Sequence, residues 1–125
     1  MKKGICFSCL PGSLPLRERL ELAKESGIEG VEIPQFETRE EVEEVAQVAA
    51  DVGIEIHSVM GGTHWQLPLS STDKEVRSQG VEGVKRALHV AKWSGADVVL
   101  VVPGVVTDDV SYAAANELSR KSLEE

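Results

Sequence analysis

Apolar and polar residues alternate with two different periods along the chain, and these periods predict strands and helices in turn. Short apolar runs predict strands at residues 3–8, 30–33, 54–59 and 97–102. After each run, apolar residues recur at spacings of three and four, which is typical of a helix with one buried side. This regular alternation of strand and helix predicts a parallel sheet with right-handed crossovers.

Capping residues mark the ends of these helices. Thr38 with Glu41, and Thr72 with Glu75, have the T-x-x-E spacing of a capping box. Ser111 is placed to cap the fourth helix. A glycine ends each of the first three helices and leads into the next strand; these glycines are Gly27, Gly53 and Gly95.

The apolar positions also predict the buried side of each helix. The first helix, residues 14–26, is expected to begin after Ser13 and to place Leu16, Leu20, Leu22 and Ala23 on or near one apolar stripe. The inward positions expected in the other helices are Val42, Val45, Ala46, Ala49 and Val52, then Val76, Val84, Ala87, Leu88 and Ala91, then Ala114, Leu118 and either Ser122 or Leu123.

The fourth strand and the length of the chain indicate half of a larger barrel. The run DVVLVV at residues 97–102 lacks polar alternation, which predicts a strand buried on both faces. The chain has 125 residues, about half of the ~250 in a complete eight-unit α/β barrel. Because the fourth helix reaches Glu125 with no terminating glycine, we expect a single (βα)4 half-barrel domain over residues 1–125, cut within that helix.

Charge and composition exclude several kinds of partner. Acidic residues outnumber basic ones 21 to 13, and the resulting net charge of −8 argues against nucleic acid. No apolar run approaches the ~20 residues of a membrane span, and the segment after Lys2 and Lys3 is too short for a signal peptide. We therefore expect a cytoplasmic protein, with residues 37–44 forming a solvated acidic helix face.

The cysteines form a lone CxxC pair, Cys6 and Cys9. A redox pair normally opens a helix, whereas Cys6 lies within a strand pattern, and a structural zinc site needs further ligands at matching spacing. We expect two small, mostly buried thiols in a reducing compartment.

Two polar residues break the apolar pattern of neighbouring strands. In GVEIP and IEIHSV the apolar residues are expected to face the helices, so Glu32 and His57 point to the opposite face, toward the carboxyl ends where such folds bind ligands. The pair suits general acid and base chemistry, metal binding, or hydrogen bonding to sugar hydroxyls. Satisfied polar residues in a barrel mouth are the alternative.

The loop after the third strand holds the remaining candidates. His64 and Trp65 could grip and stack against a sugar ring, or simply cover the core. Gly61 and Gly62 would permit close approach of a ligand to the backbone. His89 and Trp93 lie one helical turn apart and are expected only to pack or to face solvent.

The stretch SVMGGTHWQLPLSSTD, together with VVPGVVTDDVSY and the GVEI of the second strand, resembles the sugar phosphate isomerase/epimerase family of xylose isomerase-like TIM barrels. The resemblance implies a divalent metal (Mn, Mg, Co or Zn) in the full-length family and an enediolate-type proton transfer by two glutamates. It implies that strands five to eight supply the metal ligands and both glutamates. This chain would then keep the substrate-side wall, comprising Glu32, His57, His64 and Trp65, with no catalytic or metal-binding residue of its own.

These observations lead to three hypotheses. In the first, the chain is the amino-terminal half of such an enzyme and is inactive alone. Its partner is then a second copy or the missing carboxyl-terminal half, and its ligand is a small sugar or sugar phosphate. Alternatively, it is a non-catalytic, self-associating half-barrel or a module that binds a small molecule or metal. A flavodoxin-like domain is disfavoured because no phosphate-binding glycine pattern follows the first strand, and its strand order would be rearranged.

Overall fold

The strands pair in chain order. In the computed structural model, which describes residues 2–125, four parallel strands form one sheet in the order β1-β2-β3-β4. This order confirms the predicted half-barrel and differs from the rearranged order of a doubly wound sheet. The elements are β1 Gly4–Cys6, a short 3-10 turn Phe7–Cys9, α1 Leu16–Glu25, β2 Gly30–Pro34, α2 Arg39–Val52, β3 Glu55–Met60, α3 Lys74–Ser94, β4 Val98–Leu100 and α4 Tyr112–Leu123.

The hydrophobic core lies between the sheet and the helices. Val31, Ile33 and Val59 project from the strands toward the helices and are fully buried. Leu20 of α1 and Val42 of α2 pack onto this layer from the other side and are also fully buried. The alternation of apolar residues along β2 and β3 therefore predicted the helix-facing side of the sheet correctly.

The opposite face of the sheet is open. In the strand register Val98 is level with Ser58, and Leu100 is level with Met60, so both lie on the face that would line a barrel. Val98 is 57% exposed and Leu100 is 43% exposed. The prediction that the fourth strand is buried on both faces is wrong for the described chain, since helices cover only one face of the sheet and β4 lies at its edge.

Several helix predictions are also corrected. Leu22 and Leu88 were expected to face inward, but both are exposed. In α4 the buried residues are Ala115, Ser119 and Ser122; Ser122 agrees with the prediction, whereas Ala115 and Ser119 each lie one position beyond the expected Ala114 and Leu118. Each error is a step of about 100° around the helix, which one or two apolar residues in a window cannot resolve.

The helix starts agree with the predicted caps in two of four cases. Ser111 accepts a hydrogen bond from the backbone of Ala114. Asp73 replaces Thr72 as the cap of α3 and accepts from the Glu75 backbone. The start of α1 lies at Pro15, beyond Ser13, with no side-chain cap.

The predicted helix ends are confirmed, because Gly27, Gly53 and Gly95 all have φ between 75° and 78°, a left-handed conformation that glycine adopts without strain.

The second helix begins with the predicted capping box. The Glu41 backbone donates to Thr38 Oγ1 at 3.3 Å, and the Thr38 backbone donates to Glu41 Oε2 at 3.0 Å. Replacing Thr38 with alanine should lower the free energy of unfolding by about 1 kcal/mol, because one amide at the helix start loses its acceptor. Chemical denaturation checks this value. Thr38→Ser keeps the acceptor and serves as the control; equal losses for both variants would contradict the capping role.

The long loop between β3 and α3 rests on two glycines of α3. A Cβ built on Gly80 would lie 2.4 Å from the Leu67 carbonyl oxygen, and one built on Gly83 would lie 2.2 Å from Thr63 Oγ1. Glycine at these positions therefore lets the loop backbone lie directly against the helix. Within the described chain, no helix is long and apolar enough to cross a membrane.

Candidate functional site

A bulge in β3 determines which polar side chains of that strand lie beside Glu32 on the inner face. The pairing of β2 with β3 shifts between Val31 and Glu32, so that Val31 pairs with Ile56 and Glu32 pairs with Ser58. The extra residue in β3 is His57. An extra residue of this kind interrupts the strict alternation of faces, so the sequence pattern predicted His57 but missed Ser58.

Four side chains from three strands form a chain of hydrogen bonds on this face. Cys6 Sγ of β1 donates to Glu32 Oε1 at 3.2 Å, and Ser58 Oγ of β3 donates to Glu32 Oε2 at 3.0 Å. Ser58 Oγ also lies 2.8 Å from His57 Nδ1. Glu32 and His57 thus converge as predicted, although Ser58 lies between them.

The His57 ring lies at the amino-terminal side of the sheet. A Cβ on Gly4 would lie 2.6 Å from His57 Nε2, and a Cβ on Gly30 would lie 2.8 Å from its Cδ2. Gly4 and Gly30 are the first residues of their strands, so the ring covers the beginnings of β1 and β2. The sequence pattern predicts His57 at the carboxyl ends, and the geometry corrects that position.

The loop residues form a separate group at the other end of β3. The rings of His64 and Trp65 meet edge to face with centroids 5.1 Å apart. His64 is half-buried against the start of the loop, whereas Trp65 is 66% exposed. An exposed indole on a rim is available to stack on a ligand, so the core-covering alternative does not suit Trp65.

The glycine pair beside this loop has a structural use at one position. The Gly61 backbone donates to the Leu100 carbonyl oxygen at 2.9 Å, and a Cβ there would lie 2.8 Å from the same oxygen. Gly61 therefore lets the start of the loop lie against the end of β4. A Cβ built on Gly62 would have no neighbouring atom within 4 Å, and the Gly62 N–H donates to Gln35 Oε1 at 3.3 Å. Of the two glycines, only Gly62 therefore leaves room for a ligand to approach the backbone.

The two cysteines differ from each other. Cys6 is half-buried, and its hydrogen bond to Glu32, together with burial, raises the pKa of its thiol, so that the thiol stays protonated. Cys9 is exposed on the 3-10 turn, which contradicts the expectation that both thiols are mostly buried. The sequence signal for Cys6 is its place on the strand next to that of Glu32. Because every second residue of a strand shares a face, the strand pattern could have put Cys6 on the same side of the sheet as Glu32.

The remaining candidates behave as the sequence predicted. His89 and Trp93 stack on each other along α3 with centroids 5.7 Å apart, away from the inner face. The acidic start of α2 is exposed to solvent. Arg39 forms a surface ion pair with Glu43 there, and Arg86 pairs with Glu37.

The described residues do not form a complete metal site. Among residues 2–125, no three His, Cys, Asp or Glu side chains come close enough to hold an ion. Glu32 is the one carboxylate in the hydrogen-bonded group on this face, and its partners Cys6 and Ser58 are neutral donors. The donor set on this face therefore does not fit the divalent metal that the family resemblance implies.

Sequential parallel strands, helices on one side and an open inner face that carries Glu32, His57 and Ser58 define this chain as an α/β barrel unit. A family model described as xylose isomerase-like TIM barrel matches residues 20–125. The chain therefore belongs to the xylose isomerase-like TIM barrel family, which confirms the resemblance inferred from its motifs.

Named proteins are similar to this chain in sequence or in fold. The L-ribulose-5-phosphate 3-epimerase of Salmonella heidelberg (strain SL476) is 32% identical over 127 residues, covering 94% of this chain and 43% of that protein. The 3-keto-D-glucoside 4-epimerase YcjR from E. coli superposes with a TM-score of 0.77 at 20% identity, over 99% of this chain and 49% of that one. An L-ribulose 3-epimerase structure also gives a TM-score of 0.77 at 20% identity, over 98% and 44%. The chain thus spans about half the length of the relatives it matches.

Proposed function

We propose that this chain supplies strands one to four of the barrel of a sugar or sugar phosphate epimerase or isomerase. The proposal is supported by the 32% identity to an L-ribulose-5-phosphate 3-epimerase over nearly the whole chain. In this proposal four further strands pair with the free edges of β1 and β4 and enclose the inner face. They come either from a carboxyl-terminal half or from a second copy.

The observation that carries the proposal is the hydrogen-bonded carboxylate of Glu32 on the open face. A carboxylate turned into a barrel is costly unless it has partners or a function, and here it gains Cys6 and Ser58 as donors. A polar group held in this way on the inner wall can accept hydrogen bonds from sugar hydroxyls. Glu32 and His57 would form the wall, and His64 and Trp65 the rim.

The rim residues would bind the sugar by stacking and hydrogen bonding. The exposed indole of Trp65 offers apolar surface, and its edge-to-face contact with the His64 ring restricts its orientation. We propose no catalytic step for these residues. The proton-transfer groups and the ligands of a Mn, Mg, Co or Zn ion would come from the other four strands, because the described residues gather no such set.

Reconstitution tests this proposal. The chain alone, with Mn²⁺ and L-ribulose 5-phosphate, is expected to show no epimerisation. Mixed with the carboxyl-terminal half of the Salmonella epimerase, it is expected to form a complex and to gain activity that Trp65→Ala weakens mainly through KM. Lys92→Ala, exposed on the outer side of α3, is the matched control. A stable complex without activity would contradict the epimerase assignment, and activity of the chain alone would contradict its inactivity in isolation.

A second candidate is a non-catalytic half-barrel that associates with itself. It is favoured by the exposed apolar side chains of β4, Val98 and Leu100, beside an unpaired strand edge. Two copies could complete eight strands by pairing β4 of each with β1 of the other. Since each copy carries a net charge of −8, association should strengthen as salt rises.

Oligomeric state tests the second candidate. In light scattering after size exclusion, the wild-type chain is expected to be a dimer, and Val98→Lys with Leu100→Lys is expected to be a monomer. Leu22→Lys, on the outer side of α1, should leave the dimer intact. A wild-type monomer at high salt would exclude self-association.

A further inference from the structure

The Ser58 hydroxyl lies between an acid and an imidazole, and it has a single proton. Its oxygen is 3.0 Å from Glu32 Oε2 and 2.8 Å from His57 Nδ1. Ser58 is only 5% exposed, and these two side chains are the partners of its hydroxyl. A serine hydroxyl donates one hydrogen bond and can accept others. The single proton must therefore point to one neighbour, and the other neighbour must donate.

The charge on Glu32 decides between these arrangements. As a carboxylate, Glu32 has no proton to give and can only accept, so Ser58 must donate to it. Ser58 Oγ then has only lone pairs to offer His57, and the 2.8 Å contact is a hydrogen bond only when Nδ1 carries a proton. We propose that Glu32 and Ser58 act as positioning residues that hold the neutral His57 ring in its Nδ1–H form.

Cys6 keeps the carboxylate in the required orientation. Its thiol donates to Glu32 Oε1 at 3.2 Å, so each carboxylate oxygen has its own donor. Burial and the Glu32 contact raise the pKa of this thiol, so it remains a donor in neutral solution. The direction of every proton, from Cys6 to His57, thus follows from the negative charge on Glu32.

The consequence is a free acceptor on the amino-terminal side of the inner face. With the proton on Nδ1, the lone pair of His57 is on Nε2, which lies over Gly4 beside Gly30. A neutral imidazole in this form accepts a hydrogen bond there from a hydroxyl or an ammonium group. His57 is then a fixed acceptor of the barrel wall. This inference does not depend on the proposed epimerase function.

The substitution Glu32→Gln should reverse the tautomer. Because Cys6 donates to the Oε1 position, the oxygen of the new side-chain amide should occupy that position and its NH₂ group should face Ser58. The amide then donates to Ser58 Oγ, and the Ser58 proton is released to point at His57 Nδ1. An Nδ1 that accepts cannot carry a proton, so the ring should change to its Nε2–H form.

Nitrogen-15 NMR of histidine-labelled full chain in alkaline solution tests this inference, with His57→Gln assigning the signal. Wild type should show Nδ1–H, Glu32→Gln should show Nε2–H, and Ser58→Ala should lose the Nδ1–H preference. Cys6→Ser, which keeps a donor, should retain the wild-type form. Wild-type protein in the Nε2–H form, or a folded Glu32→Gln chain still in the Nδ1–H form, would overturn it. If Glu32→Gln does not fold, the wild-type and Ser58→Ala spectra decide alone.

Discussion

Replacing Gly80 with valine is expected to displace the rim loop and to destabilise the chain by roughly 3 kcal/mol, the upper end of the range for overpacking. The smallest side chain, a single Cβ, would already lie 2.4 Å from the Leu67 carbonyl oxygen and 3.1 Å from Leu69 Cδ2. A carbonyl oxygen belongs to the backbone and cannot rotate away as a side chain can. The loop from Thr63 to Leu69 must therefore shift, or α3 must move outward.

Fluorescence and thermal unfolding together measure the effect of Gly80→Val. In a Trp93→Phe background, emission reports Trp65 alone, and a displaced loop should change its wavelength because the edge-to-face contact with the His64 ring is altered. The midpoint of thermal unfolding should fall by roughly 10 °C. Ser78→Val, exposed on the same helix, introduces the same β-branched side chain without the contact. Equal changes for both variants would show that the loop does not rest on Gly80.

The effect on ligand binding should follow the effect on the loop. His64 and Trp65 form the rim in the proposed function, and their positions depend on the backbone that carries them. Two contacts hold that backbone in place. The Leu67 amide donates to the Thr63 carbonyl oxygen at 2.8 Å, and the loop packs against Gly80 and Gly83 of α3. In the reconstituted enzyme we therefore expect Gly80→Val to raise KM more than it lowers kcat.

The order of elements was predictable because it depends on local signals. Thr38 with Glu41 starts a helix, Gly53 and Gly95 end helices, and the apolar runs between them have room only for short strands. Four such units joined by crossovers leave the sequential parallel sheet as the simplest arrangement, and that sheet is observed.

The candidate site was less predictable because a bulge and close packing define it. Strict alternation placed Glu32 and His57 on the inner face, but the extra residue in β3 added Ser58, which links them. No periodicity of hydrophobic residues reports such a shift. The packing of the loop against Gly80 and Gly83 could not be predicted either. A glycine within a helix pattern indicates only a weak helix former until the residue that packs against it is known.

The exposed apolar residues of β4 show a different limit. A run of valines and leucine predicts burial, and Val31 and Ile33 of β2 agree. Val98 and Leu100 lie on the inner face, where burial requires strands that pair with the β4 edge. In the barrel proposed above both residues would be covered, whereas in the four-stranded sheet they are exposed.

The largest loss of stability is expected for Leu20→Ala, about 2–5 kcal/mol in the free energy of unfolding. Leu20 is 0% exposed and packs between α1 and the sheet, so shortening its side chain leaves a cavity that the surrounding strands cannot fill. Leu22 lies two residues further along α1, about 200° around the helix, and is 40% exposed. Leu22→Ala makes the same chemical change and should cost less than about 1 kcal/mol. Urea denaturation of both variants measures the difference. Equal costs would mean that Leu20 and Leu22 both face the core, as the sequence predicted. A large difference would confirm that α1 packs on the sheet through Leu20 and not through Leu22.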